Sequence, residues 1–338
     1  MRQVWITKAG PPDVLEAREA PVPSPLPGEA RIAVAAIGVN FADIMGRLGL
    51  YREAPPIPYI PGYEVAGRID AVGREVDETL VGTDVIALLR SGGYSEYVCV
   101  PVEQTLPRPA NLSPEQAAGL PVAFLTAYEA LVVLGGIKPG ERVLIHAAAG
   151  GLGLAAVEIA KLFSATIYGT SSPQKHDFLR ARGVQFPIDY RNFGATIRRL
   201  TDGHGVQIAL DTIGGRSWVK SYRALAPGGR LVLCGMSSAA PGQRRSLRAL
   251  VKFALFTPWL MFNPVRLTSD NKGVAGINMG TLWDELAVVR TWAEQVLVWV
   301  EAGKLDVRVD RTFPLEDAAE AHRYIQARQN RGKVILVP

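Results

Sequence analysis

Twenty residues in the middle of the chain, Arg142 to Lys161, read RVLIHAAAGGLGLAAVEIAK. A strand-like apolar run breaks into alanines and glycines, then resumes at helical spacing with Leu154, Val157, Ile159 and Leu162 as its apolar face. Glycines where a strand turns into a helix let backbone approach a diphosphate, and the helix N-terminus offers free N–H groups and about half a positive charge. Gly150 and Gly153 stand at the second and third glycine places of the dinucleotide fingerprint, while Ala148 replaces the first. The chemistry implied is a pyrophosphate cradle made of Ala149, Gly150, Gly151, Leu152 and Gly153. His146, at the end of the strand, reads as a hydrogen-bonded structural imidazole in preference to a catalytic one.

The next strand decides which dinucleotide is expected. Sites for NAD usually carry an acid about 20 residues on, placed to bind the ribose 2′-hydroxyl. Here the strand ends YGTSSPQKHDF, with Ser171, Ser172 and Lys175 in the turn and no acid before Asp177. Two hydroxyls and a cation suit a 2′-phosphate, which a carboxylate would repel. The same SSPQK run also caps the following helix, which is compatible with phosphate binding. NADPH is the cofactor expected.

These groups need elements to position them. The 338 residues suffice for two ordinary domains, and 20% charged with 48% hydrophobic residues is a globular composition. A net charge of +5 without a basic stripe interleaved with aromatics argues against nucleic acid and for an anionic cofactor. Cys99 and Cys234 belong to no CxxC pair and read as buried thiols of a reducing compartment. MRQVWITKAG lacks the apolar core of a signal peptide, so a cytoplasmic protein is expected. The run ALVKFALFTPWLMFNPV, Ala249 to Val265, carries Lys252 and Pro258, and its uncharged part is shorter than the roughly 20 residues of a membrane span. A substrate lid, a subunit contact and an interfacial helix with Arg244, Arg245 and Arg248 toward lipid headgroups remain open for it.

Up to about Pro109, short β-rich runs separated by Gly and Pro clusters suit a small barrel-like domain. SPEQAAGLPVAFLTAYEALVVLG then reads as helical, capped by Ser113 with Pro114 at its first position. After Pro139, six apolar runs (RVLIHA, ATIYGT, FPIDY, VQIALDT, RLVLCGM and KGVAGIN) follow one another, the first five alternating with amphipathic stretches. This is the pattern of a doubly wound parallel sheet of six strands, a Rossmann fold. The tail adds a helix, a strand, a helix and a final strand, KVILVP, expected to rejoin the first domain.

In these residues the chain resembles the medium-chain dehydrogenase/reductases. NFADIMGRLGLY, IPGYEVAGRIDAVG, GGYSEYVCVP, LPVAFLTAYEAL and HAAAGGLG fall in that family's order. The resemblance implies an α/β protein with a GroES-like catalytic domain over 1–120 and 280–338 and a Rossmann domain over 121–279, with the apolar insertion at 244–265. Zinc alcohol dehydrogenases of the family have Cys where Asn40 stands and GHE where Gly62, Tyr63 and Glu64 stand, and they carry a four-cysteine lobe that this chain lacks. The chain is thus similar to the zinc-free quinone oxidoreductase branch, and its insertion most resembles the vesicle-amine-transport-protein-like members. No metal site is expected.

By the same resemblance, Asn40 and Tyr51 line the nicotinamide side, Asn40 with its amide and Tyr51 with a phenol that either protonates product or serves only as wall. Asp43 either orients that network or is a structural acceptor. Tyr63 fills space the metal vacates. Thr126, Gly235, Met236, Ser237 and the backbone of Gly276 and Ile277 are implied cofactor contacts, with Tyr190 near the adenine and Asn330 and Lys333 near the C-terminus. Enoyl reductase modules of fatty acid and polyketide synthases are also similar, but they place a Lys after the fifth-strand glycine and an acid after the sixth strand. This chain has Met236 and the pair Met279-Gly280 there.

Without a Lewis acid to hold an alkoxide near neutral pH, alcohol oxidation is disfavoured. Hydride addition to a quinone or an α,β-unsaturated carbonyl needs only alignment, hydrogen bonds to the oxygen that gains charge, and a dry pocket. The expected function is therefore NADPH-dependent reduction of a small hydrophobic quinone or enone. A weakly catalytic, NADPH-bound lipid- or membrane-associated adaptor is the alternative, and a zinc alcohol dehydrogenase the third reading. KGVAGIN would be a bare sheet edge in a monomer, so a homodimer is expected.

Overall fold

The computed structural model describes residues 1–257 and 262–338. It divides into two compact units, one made of Met1–Ala123, Gly242–Arg245 and Gly280–Pro338, the other of Phe124–Pro241 and Ser246–Met279.

The first unit is a GroES-like, mainly antiparallel sheet. Its main path runs Val309–Pro314, Lys333–Val337, Glu29–Val39, Glu64–Val72, Asp84–Leu88 and Thr105–Pro107, and Tyr97–Pro101 pairs with the early part of Glu29–Val39. Glu29–Val39 organises it. Ala30, Ile32 and Val34 alternate inward, and from Ala36 onward both faces are covered. The tail rejoins the unit here, with Val334 opposite Val39 and Leu336 opposite Ile37. Gly38 allows a close approach, since a Cβ there would collide with Glu64 Oε1 and the Ala118 carbonyl. Just beyond Val39 the chain leaves the sheet and enters the helix Phe41–Arg47.

The second unit holds six parallel strands: Arg142–Ile145, Thr166–Ser171, Phe186–Asp189, Val206–Asp211, Leu225–Leu233 and Gly273–Gly276. In space the third strand is followed by the second, first, fourth, fifth and sixth, the doubly wound Rossmann order. Its switch point lies between the first and fourth strands, and ligands of such sheets bind outside the carboxyl ends there. Near-continuous burial of Val143–Ile145, Ile167–Ser171 and Ile208–Asp211 shows that helices cover both faces of these central strands.

Two local readings change. The single helix expected from Ser113 to Gly135 is two helices, Pro114–Ala118 and Pro121–Tyr128, followed by a π-helical turn over Glu129–Leu134. Pro121 lacks the N–H needed to continue the first helix and starts the second. Cys99 and Cys234 are unpaired as expected but half-buried rather than buried, with desolvation pushing their thiols up to about 11 and about 12.

Of the apolar insertion at 244–265, Leu247–Phe256 is a helix capped by Ser246 Oγ, which accepts from the Ala249 N–H at 3.2 Å. Residues 258–261, including Pro258, lie outside the described residues, and Pro264–Asp270 forms a further helix. Among the described residues no helix is long and apolar enough to cross a membrane.

Candidate active site

The strand Arg142–Ile145 delivers the chain to Gly150, the N-cap of the helix Gly151–Leu162. No side chain caps that helix, so the first-turn N–H groups of Gly151, Leu152 and Gly153 are presented by backbone alone. Ala147 takes the left-handed conformation (φ 49°), and the Gly150 N–H donates to its carbonyl at 2.9 Å. Gly153 is the close-packing point. A Cβ there would strike the Ala147 carbonyl and come within 2.6 Å of Ala148 Cα. The missing first glycine is thus tolerated because Ala147 makes the turn, and the cradle fits a pyrophosphate.

The second-strand turn departs from expectation in one respect. Ser171 is buried and donates its hydroxyl to the Ser172 carbonyl at 3.0 Å, so that proton is already spent. Ser172 opens the turn Pro173–Lys175, which leads into the helix His176–Ala181. Tyr190 is exposed just past the third strand. Beside it stands a group that sequence reading missed, the Arg191–Asp189 pair at 2.6 Å, with Asp189 in register with Ser171. The Arg191 guanidinium holds the Asp189 carboxyl down at about 2, so the charge of this acid is balanced by its partner. An Asp-Tyr-Arg run ending a strand was the available signal.

At the fifth strand, Gly235 (φ 90°) and Met236 are exposed, and the Ser237 N–H donates to the Thr212 carbonyl at 3.3 Å. Gly276 ends the sixth strand. The Ile277 N–H donates to the Leu233 carbonyl at 2.9 Å, so of its two backbone groups only the carbonyl is left to offer. Thr126 lies buried on Pro121–Tyr128.

In the first unit, the half-buried Asn40 and the buried Asp43, Glu64 and Lys333 form one polar cluster. Lys333 Nζ donates to Glu64 Oε1 at 2.6 Å, to Asn40 Oδ1 at 2.9 Å and to the Val39 carbonyl at 3.3 Å. Asn40 Nδ2 donates to Glu64 Oε1 at 2.7 Å and, more weakly, to the Gly38 carbonyl at 3.5 Å. Glu64 Oε2 accepts from the Val122 N–H at 2.7 Å. Two expectations are corrected. The Lys333 ammonium, 4% exposed, has all three protons engaged by protein and is not a free cofactor contact. The Asn40 amide is held from behind by an ion pair, so it is a positioned group more than an offered donor. Asn330 Nδ2 donates to the Gly332 carbonyl at 3.0 Å.

Asp43 is fully buried and accepts from the N–H groups of Asn40 (2.8 Å) and Gly62 (3.0 Å), tying the helix start to the 62–64 segment. Burial pushes its carboxyl up to about 7, against the pull of those two hydrogen bonds. Tyr63 is the middle residue of that segment. Burial first, and Asp43 second, raise its phenol well above the ordinary range. Tyr51 packs edge-on against Tyr63, with ring centres 5.9 Å apart.

At the two positions where zinc alcohol dehydrogenases of the family have Cys and His, this chain has the amide of Asn40 and the phenol of Tyr63. That set does not fit the metal. Among the described residues there is no group of three or more His, Cys, Asp or Glu side chains that could hold an ion.

Two family models match the chain: an alcohol dehydrogenase GroES-like domain over residues 26–110 and a zinc-binding dehydrogenase over residues 182–336. The chain belongs to the medium-chain dehydrogenase/reductase superfamily, in its quinone oxidoreductase branch, and is an oxidoreductase by family. Within that branch it is similar to the synaptic vesicle membrane protein VAT-1 homolog of Rattus norvegicus. The two are 39% identical over 329 residues, which cover 96% of this chain and 80% of that protein. A solved quinone oxidoreductase of Pseudomonas syringae pv. Tomato DC3000 superposes with a TM-score of 0.86 at 32% identity, over 100% of this chain and 99% of that one. A mycobacterial protein solved in complex with NADPH superposes with a TM-score of 0.85 at 29% identity, over 100% of both chains.

Proposed function

We propose that this protein is an NADPH-dependent reductase that works without zinc on small hydrophobic quinones or on the C=C bond of α,β-unsaturated carbonyls. The observation that carries the reading is that the amide of Asn40, held by Lys333 and Glu64, and the phenol of Tyr63 stand where zinc members of the family have Cys and His. NADPH, when bound, supplies the hydride. The cradle of Ala149, Gly150, Gly151, Leu152 and Gly153 would hold the pyrophosphate, and the turn with Ser172 and Lys175 would hold the 2′-phosphate. Asn40, locked by Lys333 and Glu64, is a first-unit group proposed to contact the substrate. The substrate oxygen that gains charge needs one donor. Tyr51 Oη is the group proposed for it, with water as the alternative source of the proton. The NADPH-bound mycobacterial structure supports the cofactor, and the Pseudomonas enzyme supports the quinone class.

Competing titrations with NADPH and NADH test the cofactor, and equal affinities would remove the assignment. Steady NADPH consumption with a panel of enones and quinones tests the reaction. A protein that binds NADPH and turns over none of them would overturn it, and stoichiometric zinc in purified protein would restore the alcohol dehydrogenase reading.

A second reading rests on a separate observation. Leu247, Val251 and Leu255 recur at helical spacing on Leu247–Phe256 and are exposed, the first and last at 76% and 74%, with Arg248 and Lys252 on the same helix. An apolar ridge with flanking cations suits an anionic lipid surface, as a VAT-1-type adaptor would require. Flotation with phosphatidylserine vesicles, lost on deleting 247–256, is the result expected of it. We also propose a cytoplasmic homodimer, because Gly273–Gly276 pairs on one side only among the described strands. A single species of monomer mass in sedimentation at micromolar concentration would contradict it.

A further inference from the structure

Beneath the carboxyl ends of the second unit's strands lies a buried polar chain. His146 Nδ1 is 3.0 Å from Thr170 Oγ1, and His146 Nε2 is 2.9 Å from Ser221 Oγ. Ser221 Oγ donates to Asp211 Oδ2 at 2.6 Å, and Asp211 Oδ1 accepts from the N–H groups of Ile213 (2.8 Å) and Gly214 (3.2 Å). All four side chains are buried, and the Phe193 ring closes the imidazole edge-on at 4.5 Å.

Proton counting fixes the tautomer. An ionised carboxylate only accepts, so the single Ser221 proton belongs to Asp211. Ser221 Oγ can then only accept from His146, which places the imidazole proton on Nε2. Nδ1 is left bare and accepts from the Thr170 hydroxyl. Desolvation keeps the ring neutral, as this chain requires. The Ser, His and Asp here resemble a hydrolytic triad in composition only, because the acid binds the serine rather than orienting the histidine.

Three of the four members sit at the root of a loop used by the proposed function, and Ser221 links them from the helix Arg216–Ala224. His146 precedes the pyrophosphate cradle, and Thr170 precedes the Ser171–Lys175 turn. Asp211 shapes the turn Thr212–Gly215, whose carbonyls at Thr212 and Ile213 take the N–H groups of Ser237 (3.3 Å) and Ser238 (2.9 Å). We infer that the chain Thr170–His146–Ser221–Asp211 is the positioning device that keeps these loops in register for the dinucleotide. The inference rests on the reading that this sheet edge binds NADPH.

The test uses the full-length protein and three variants, Ser221→Ala, Ser221→Thr and Thr170→Val. Nitrogen-15 spectra of the four histidines should show one neutral ring with a bare Nδ1, whose signal Thr170→Val moves. Ser221→Ala should speed amide exchange at Ile213 and Gly214 and raise the NADPH Kd about tenfold, as loss of a buried donor–acceptor link that orients a site would. The quinone KM should stay within twofold, and Ser221→Thr should restore the Kd. A proton on Nδ1, unchanged exchange at Ile213 and Gly214, or a Kd change that Thr does not rescue would overturn the inference. If the wild type bound no NADPH, the proposed function would fall, while the tautomer and the exchange pattern would still decide whether the device exists.

Discussion

Substituting Lys333 by methionine isolates the most consequential contact of the first unit. The ammonium is 4% exposed and the Glu64 side chain fully buried, with 2.6 Å between charged atoms. Methionine keeps most of the volume and removes the charge. Glu64 then keeps the Asn40 and Val122 hydrogen bonds but no cation. Stranding one member of a buried pair costs about 3–5 kcal/mol. Protonation sets a ceiling on the loss. Neutralising a carboxyl of ordinary pKa, about 4.3, at about pH 7 costs about 1.36 kcal/mol per pH unit, or about 3.7 kcal/mol. The expected loss is therefore about 3–4 kcal/mol at pH 7. Burial disfavours a carboxylate that has lost its cation, so the loss is recovered as pH falls. The deficit should shrink by about 1.4 kcal/mol per unit between about pH 7 and pH 4.3. Urea denaturation of wild type, K333M and the double variant E64Q/K333M at three pH values measures it. The double variant should be flat with pH and more stable than K333M at pH 7. A K333M deficit under about 1 kcal/mol, or one independent of pH, would refute the argument that Lys333 is committed to Glu64.

Gly153→Ala should weaken NADPH binding and lower stability, although alanine ordinarily favours a helix interior by about 1 kcal/mol, because the added Cβ meets strand-end backbone. Calorimetric titration and a thermal melt check both signs. Asp43, held up to about 7, contributes stability that is greatest below about pH 4 and declines as pH rises toward 7; Asp43→Asn should abolish that slope in denaturation curves. His146 and His322 are depressed by burial, so their contribution is full above about pH 6.5 and falls as acid protonates the unfolded chain; His146→Gln should flatten part of that acid limb. Ser172→Asp should raise the NADPH Kd at least about tenfold with little effect on NADH, measured by fluorescence titration.

Much of the architecture was legible because it is written in local periodicity. Six apolar runs marked the six parallel strands, and the glycine cluster marked the turn between the first strand and its helix. Errors arose where one residue overrode a pattern, as Pro121 did by dividing the expected helix. The candidate site was less readable. Lys333 reads as a C-terminal cofactor contact because nothing in KVILVP shows that its partner, Glu64, lies 269 positions earlier. Ser171 looked like a ligand because a residue type does not reveal that its proton goes to the next carbonyl. The Arg191–Asp189 pair does not show in the second strand's own sequence, because it is parallel pairing of the third strand that sets Asp189 beside Ser171.

The antiparallel seam between Lys333–Val337 and Glu29–Val39 has a consequence for biosynthesis. On the ribosome Glu64 emerges long before its cation, so the first unit must wait with an uncompensated acid while the six-stranded parallel sheet, complete by Met279, is free to form. Nascent chains stalled short of Lys333 should therefore present a finished second unit joined to an unsealed first one, the species a holdase chaperone would be expected to guard.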